Sequence, residues 1–321
     1  MFKWIKKGVV FNPTELSQRP DWMNEFSQAP NTLIFDNFVR VFFSTRPKRD
    51  NDGQFNTYST FLDLDKNDLT KIIRVSKKPV LELGERGCFD EFGTYPFSPI
   101  KTDDGFLAFY AGWTRCSSVP FDISIGVCKS SDGEKFTKLG NGPILSSSLY
   151  EPFTISSPKI RRFNDMFYLF YVSGSQWNVI DSNVEMALKI RMAKSKDGFN
   201  WEKVNKNIID DSLGEIESQA SPDVIFKNGI YHMFFDYWSS KEFRKTKYRS
   251  IGYAYSKDLV NWCRDDSKAG ISVSLEKNTF DNEMVAYPHV FEVNDKIYML
   301  YLGNEVGRYG FGLAELEGKL Q

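Results

Sequence analysis

The sequence predicts an all-β fold, a five-bladed β-propeller, on three observations: a motif repeated five times in phase, a strand-favouring composition, and a last repeat one strand short. Twenty-eight Phe, 15 Tyr and 7 Trp make the chain 16% aromatic, and aromatic side chains suit a pleated, half-buried surface. With 321 residues, 41% of them hydrophobic, the chain can bury a large core. All-β closures of this length are often one unit, so a single domain over residues 1–321 is expected.

The repeats align on proline: "SQAPNTLIFDNFVRVFFSTR", "PFSPIKTDDGFLAFYAGWTR", "ISSPKIRRFNDMFYLFYVSG", "QASPDVIFKNGIYHMFFDYW" and "VAYPHVFEVNDKIYMLYLGN". The anchors are Pro30, Pro99, Pro158, Pro222 and Pro288, spaced by 69, 59, 64 and 66 residues. An aromatic closes the second strand 13 residues after four of them (Phe43, Tyr171, Phe235, Tyr301) and 11 after Pro99 (Tyr110). Between the two strands stand Asp36-Asn37, Asp103-Asp104-Gly105, Asn164-Asp165, Asn228-Gly229 and Asn294-Asp295, the residue types of tight hairpin turns.

A third strand follows in each repeat ("YSTFLDL", "ISIGVC", "LKIRMA", "SIGYAY", "GFGLA"). After three of these comes a shared turn, "SSDGEKF", "SKDGFNW" and "SKDLVNW", in which Asp can accept backbone N–H groups and the aromatic can pack between sheets. A fourth strand then leads onward, except in the last repeat. Its missing strand is expected at the other end of the chain, where Trp4 to Phe11 ("WIKKGVVF") resembles Trp201 to Ile209 ("WEKVNKNII"). Such a strand closes the ring and removes both open edges.

In a propeller the innermost strand of each blade lines a channel, and the loops entering those strands converge on one face. Ahead of the anchors stand Asp90 beside Glu91, then Glu151, Glu217 and Glu283, so several blades are expected to bring a carboxylate to one mouth. Spacing does not decide between Asp90 and Glu91. Carboxylates held close together separate in pKa, and a separated pair is what glycosidic cleavage needs. Asp90, Glu217 and Glu283 are the expected catalytic acids, with Glu151 in reserve. Capping backbone amides is the structural alternative for each.

Gln28, Arg46, Tyr95, Trp113, Arg115, Trp177, Asp236 and His289 are the expected substrate-binding residues. Aromatic faces stack on sugar rings, and arginines clamp carboxylates or phosphates. The basic run "KEFRKTKYR", Lys241 to Arg249, reads either as a solvated hairpin loop or as a lid over an acidic substrate.

Forty-one Lys and Arg against 42 Asp and Glu leave no basic field, so neither nucleic acid nor an anionic membrane is an expected partner. Two His and four scattered Cys without a CxxC pair argue against a metal centre, and no cofactor is expected. The opening "MFKWIKKGVVFNP" has no apolar run of signal-peptide length, so a cytoplasmic protein with free thiols is expected. Walker, GxGxxG, HExxH and GxSxG motifs are absent from the sequence.

The proline-anchored blade starts, the hairpins and the "SxDGxxW" turns resemble the five-bladed propeller glycosidases of glycoside hydrolase families 43, 32 and 130 across essentially the whole chain. "CFDEFGTYPFSP" and "YEPFTISSP" look closest to propellers of bacterial polysaccharide biosynthesis. The resemblance implies three funnel carboxylates: a base from blade one, a pKa-tuning Asp from blade two and a general acid Glu from blade three. It also implies Asp immediately before the first anchor, where this sequence has Ala29. Two functional expectations follow, both with a carbohydrate or nucleotide-sugar ligand. The first is a glycoside hydrolase using funnel carboxylates as acid and base. The second is a non-catalytic sugar-binding propeller of a polysaccharide-biosynthesis pathway.

Overall fold

A computed structural model describes residues 2–214, 216–242 and 248–320. The chain opens with β1 (Lys3–Phe11). Blade one is β2 (Glu25–Ile34), β3 (Phe38–Arg46), β4 (Tyr58–Asp65) and β5 (Ile72–Val75). Blade two is β6 (Gly93–Thr102), β7 (Gly105–Arg115), β8 (Phe121–Ser130) and β9 (Thr137–Lys138). Blade three is β10 (Ile155–Phe163), β11 (Met166–Ile180), β12 (Asn183–Ser195) and β13 (Glu202–Lys203). Blade four is β14 (Glu217–Lys227), β15 (Ile230–Ser239), β16 (Ser250–Ser256) and β17 (Trp262–Arg264). Blade five is β18 (Ala286–Val293), β19 (Lys296–Leu302) and β20 (Phe311–Glu317), completed by β1.

Among the described residues these strands form five four-stranded antiparallel sheets, the five-bladed propeller expected from the repeats. The N-terminal strand closes the ring in the register Trp4↔Leu316, Lys6↔Ala314 and Phe11↔Phe311. Hydrophobic clusters fill the wedges between neighbouring blades, as where Val41 and Phe43 of blade one meet Leu300 and Phe311 of blade five. Each fully buried Phe there contributes roughly 1.5–3 kcal/mol of apolar burial. The strand-linking turns follow their residues: Asn164-Asp165 and Asn294-Asp295 are left-handed at both positions, as tight hairpins of matching twist require.

The shared Ser-x-Asp turn is a local clamp. Asp197 accepts the Phe199 and Asn200 amides at 2.8 Å each, and Trp201 Nε1 donates to Gly198 O at 3.0 Å. Asp258 with Val260 and Asn261, and Asp132 with Glu134 and Lys135, repeat it.

Every innermost strand bulges where it nears the axis, as between Gln28 and Asn31 or Ser156 and Lys159. Bulges tolerate proline and re-aim neighbouring side chains. In blade two the structure moves the anchor. Ser98↔Phe109 matches Asn31↔Phe42 and Lys159↔Phe170, so Phe97, not Pro99, holds the anchor position. Measured from Phe97, Tyr110 lies 13 residues on, as in the other blades. Pro96, joined to Tyr95 by a cis peptide, takes the place just before it.

Candidate ligand site at the channel mouth

The five residues before the anchor positions, Ala29, Pro96, Ser157, Ser221 and Tyr287, converge on one axial cavity of about 20 Å³, room for a single water. Four of them, Ala29, Ser157, Ser221 and Tyr287, have φ between 49° and 52°. A left-handed residue that is not glycine costs on the order of 1–3 kcal/mol, and such residues gather where backbone is bent for a purpose. None of the five is a carboxylate.

Beneath the cavity lies a buried polar layer formed by the next residues along, Asn31, Ser98, Lys159, Asp223 and His289. Asp223 is its hub: it meets Arg161 Nη2, accepts from His289 Nδ1 and the Val290 amide at 2.8 Å each, and stands 3.5 Å from Lys159 Nζ. Lys159 also hydrogen-bonds Asn31. The Thr32 amide donates to His289 Nε2 at 3.0 Å, which leaves the imidazole proton on Nδ1, facing Asp223. Burial alone would raise the Asp223 pKa, but Arg161, Lys159 and His289 hold it well below the carboxylate range. Burial and the Lys159 charge lower His289 to about 3, against the pull of Asp223. Lys159 falls to about 8, again through burial. His289, expected to touch substrate, is 1% exposed and belongs to this layer.

Above the cavity is the mouth. Tyr95 and Tyr287, from blades two and five, share a hydroxyl–hydroxyl hydrogen bond of 2.9 Å. Gln28 accepts from Arg46 Nη2 at 2.8 Å and donates to Val306 O at 2.6 Å, bridging blade one to the loop after β19. Arg46 lies 4.3 Å from the Phe26 ring and 5.1 Å from Phe55. On the other side Arg249 stacks 3.7 Å from the Trp238 ring and donates to Asp236 Oδ2 at 2.8 Å. Both guanidinium groups interact electrostatically with the two tyrosines. Gln28, Arg46, Tyr95 and Asp236, all expected from the sequence to bind substrate, are thus brought together. Tyr287 is the neighbour that sequence reasoning missed, while Arg249 ends the basic run named above.

The expected catalytic acids lie elsewhere. Asp90 accepts the Tyr110 hydroxyl at 2.9 Å and pairs with Lys138 at 2.6 Å. Glu151 accepts the Tyr171 hydroxyl at 2.7 Å and meets Lys203 and Arg191. Asp281 repeats the pattern with Tyr301 at 2.9 Å and Lys6 at 2.7 Å. These three acids stand seven residues before their anchors and 20 before their tyrosines, and each ties the second strand of a blade to its outermost strand. Burial, with the acid's charge, pushes each tyrosine far above its ordinary pKa.

Glu217 stands two residues further along its repeat. It pairs with Arg264 at 2.6 Å and accepts the Ser212 and Leu213 amides at 2.8 and 3.0 Å. Burial would raise its pKa, but Arg264 and these donors bring it below the ordinary value, the wrong direction for a proton donor near neutrality. Glu283 is exposed, with its amide donating to Asn304 Oδ1 at 2.9 Å. The Glu305 loop adjoins the mouth through Val306.

The remaining expected residues stitch blades together. Trp113 Nε1 donates to Thr57 Oγ1 at 2.6 Å, and Arg115 pairs with Asp50 at 2.6 Å. Trp177 meets Phe121 edge-on at 5.5 Å. Residues 243–247, most of the basic run, lie outside the described residues. Among the described residues no helix is long and apolar enough to cross a membrane.

Two curated proteins of Mycobacterium tuberculosis, the uncharacterised proteins Rv1502 (strain H37Rv) and MT1551 (strain CDC 1551), are each 32% identical to this chain over 315 residues, covering 98% of it and 99% of their own length. The chain belongs to their family. No family model matches it. Solved structures that share the fold include a glycoside hydrolase (TM-score 0.72, 16% identity, 98% of this chain and 92% of that one). Another is a thermostable family-43 glycoside hydrolase (0.66, 15%, 91% and 88%). A third belongs to the GH130 family of mannoside phosphorylases and hydrolases (0.68, 15%, 97% and 93%). The structural neighbours of this family are therefore five-bladed propeller glycoside hydrolases, alike in fold at low identity.

Proposed function

We propose that the protein is a carbohydrate-binding propeller whose ligand sits in the channel mouth, over the Tyr95–Tyr287 pair. The observation that carries this reading is the composition of the axial positions: Ala29, Pro96, Ser157, Ser221 and Tyr287 supply hydroxyls, apolar faces and an aromatic, but no carboxylate. Hydroxyls and aromatic faces recognise sugar rings, while two-carboxylate cleavage needs a free acid and a free base at one bond. Asp90, Glu151 and Glu217 are each committed to a tyrosine, lysine or arginine within their own blade.

Glycosidic cleavage is the second reading, favoured by the glycoside hydrolases that share the fold and by Asp236, a carboxylate at the mouth. A panel of mono- and oligosaccharides, followed in parallel by calorimetry and product analysis, separates the two. Binding without turnover, weakened by Tyr287→Ala and untouched by Glu217→Gln, is the expected result. Turnover by the native protein that disappears in Glu217→Gln or Glu151→Gln contradicts it and restores the hydrolase.

A further inference from the structure

The two arginines of the mouth are held differently. Arg249 has Asp236 as counter-ion, and although burial opposes it, that pairing keeps its pKa above the ordinary arginine value. Arg46 has no salt-bridge partner among the described residues, and its Nη2 donates to the neutral amide of Gln28. Its Nε is buried without a hydrogen-bond partner. Burial accordingly lowers its pKa. Arg49, 4.1 Å from the same Phe55 ring, donates to Gly53 O and likewise has no carboxylate partner among the described residues. Glu25, directly across the strand pair from Arg46, favours its charge through space but forms its salt bridge with Arg308 at 2.8 Å.

Arg46 is half-buried, and a partly desolvated cation with no salt bridge carries a cost that an external anion would offset. The planar guanidinium rests against the Phe26 and Phe55 rings with Nη2 on Gln28, and a carboxylate or phosphate is the group its remaining N–H donors suit. We propose that the mouth takes a sugar bearing an anionic group, a carboxylate or a phosphate, and that Arg46 is the residue that binds that group beside the Tyr95–Tyr287 pair. This inference rests on the reading of the mouth as a carbohydrate site.

The test is calorimetric titration of the full chain with neutral hexoses, the matching uronic acids, the matching hexose 1-phosphates and inorganic phosphate, at low and high salt. Arg46→Gln and Arg46→Lys are titrated beside the native protein, with thermal unfolding as the folding control. The anionic sugars should bind at least about tenfold tighter than the neutral ones, as one charge-assisted pair supplies. Salt should narrow that margin. Arg46→Gln should erase it, and Arg46→Lys should keep part of it, since lysine restores charge without the fork.

Whichever anionic series wins identifies carboxylate or phosphate as the group. Equal binding of neutral and anionic sugars, or an unchanged margin in Arg46→Gln, overturns the anionic inference and leaves the carbohydrate reading standing. A lower melting temperature in Arg46→Gln with the margin intact does the same, by making the arginine a packing residue. Binding of inorganic phosphate with no sugar bound overturns the carbohydrate reading and leaves only an anion site. No binding in any arm overturns both.

Discussion

The axial layer is built from the five innermost strands, the mouth from residues of β2, β3, β6, β15 and β18 and the residue before β16, and the two treat charge in opposite ways. In the layer, Lys159, Arg161 and neutral His289 gather on Asp223, and every one of them is satisfied inside the protein. In the mouth, Arg249 is matched by Asp236, while Arg46 faces a neutral amide and two phenyl rings. The matched layer can hold five strands in register. The mismatched mouth is stabilised only weakly from within, and an external anion is what would complete it. On the proposed reading, the difference separates a structural use of charge from a ligand-binding one.

Substitutions can break this comparison in order of size. Asp223→Asn leaves Lys159 and Arg161 without their shared anion and should cost about 3–5 kcal/mol in denaturant unfolding, the usual loss when one partner of a buried pair is removed. A loss below about 1 kcal/mol would mean that the layer does not organise the channel. Glu151→Gln keeps the volume but removes the charge facing Lys203, and should cost about 1.5–3 kcal/mol without altering ligand affinity. Reduced affinity in that variant would return Glu151 to the site. Arg46→Gln removes a charge with no salt bridge but also its Gln28 hydrogen bond and its contacts on Phe26 and Phe55, opposing effects that should leave stability within about 1 kcal/mol of native. Its effect belongs in the binding titration.

The smallest effect is a pH dependence. The Asp197 carboxyl is held below its ordinary pKa by the Asn200 amide and side chain and the Phe199 amide, and Asp258 by its equivalents. Because the folded pKa lies below the unfolded one, this stabilisation is complete above the ordinary carboxylate range. It is lost as pH falls through the depressed value. Asp197→Asn should therefore flatten the acid limb of the stability profile below about pH 4 and leave the limb above pH 6 parallel to that of the native protein. An unchanged acid limb would show that the turn carboxylate is not coupled to folding.

Most of the fold was legible in the sequence because repetition and turn chemistry are local. Asn-Asp and Asn-Gly hairpins, the Ser-x-Asp clamps and the displaced closing strand each follow from a few adjacent residues. The blade-two anchor was misplaced because "YPFSP" offers two prolines and the bulge falls at Tyr95–Phe97, where the anchor is not proline at all. The buried acids carried a readable signal: Asp90, Glu151 and Asp281 each precede a tyrosine by 20 residues, whereas Phe43 has Met23 at that distance. That pattern marks a tyrosine–carboxylate tie, and it distinguishes Asp281 from its exposed neighbour Glu283. The mouth was only partly legible. Tyr95 meets Tyr287 across 192 residues, and Gln28 meets Val306 across 278, contacts that depend on ring closure and leave no local trace.

On the proposed reading a ligand sits in the mouth, not among the buried acids. Crystals soaked with the neutral and anionic sugar panel test it most directly through the position of the difference density. Density over the Tyr95–Tyr287 hydroxyls, within hydrogen-bond reach of Arg46, is the expected result. A sugar seated against Asp90, Glu151 or Glu217, with their tyrosine and lysine partners displaced, would contradict it.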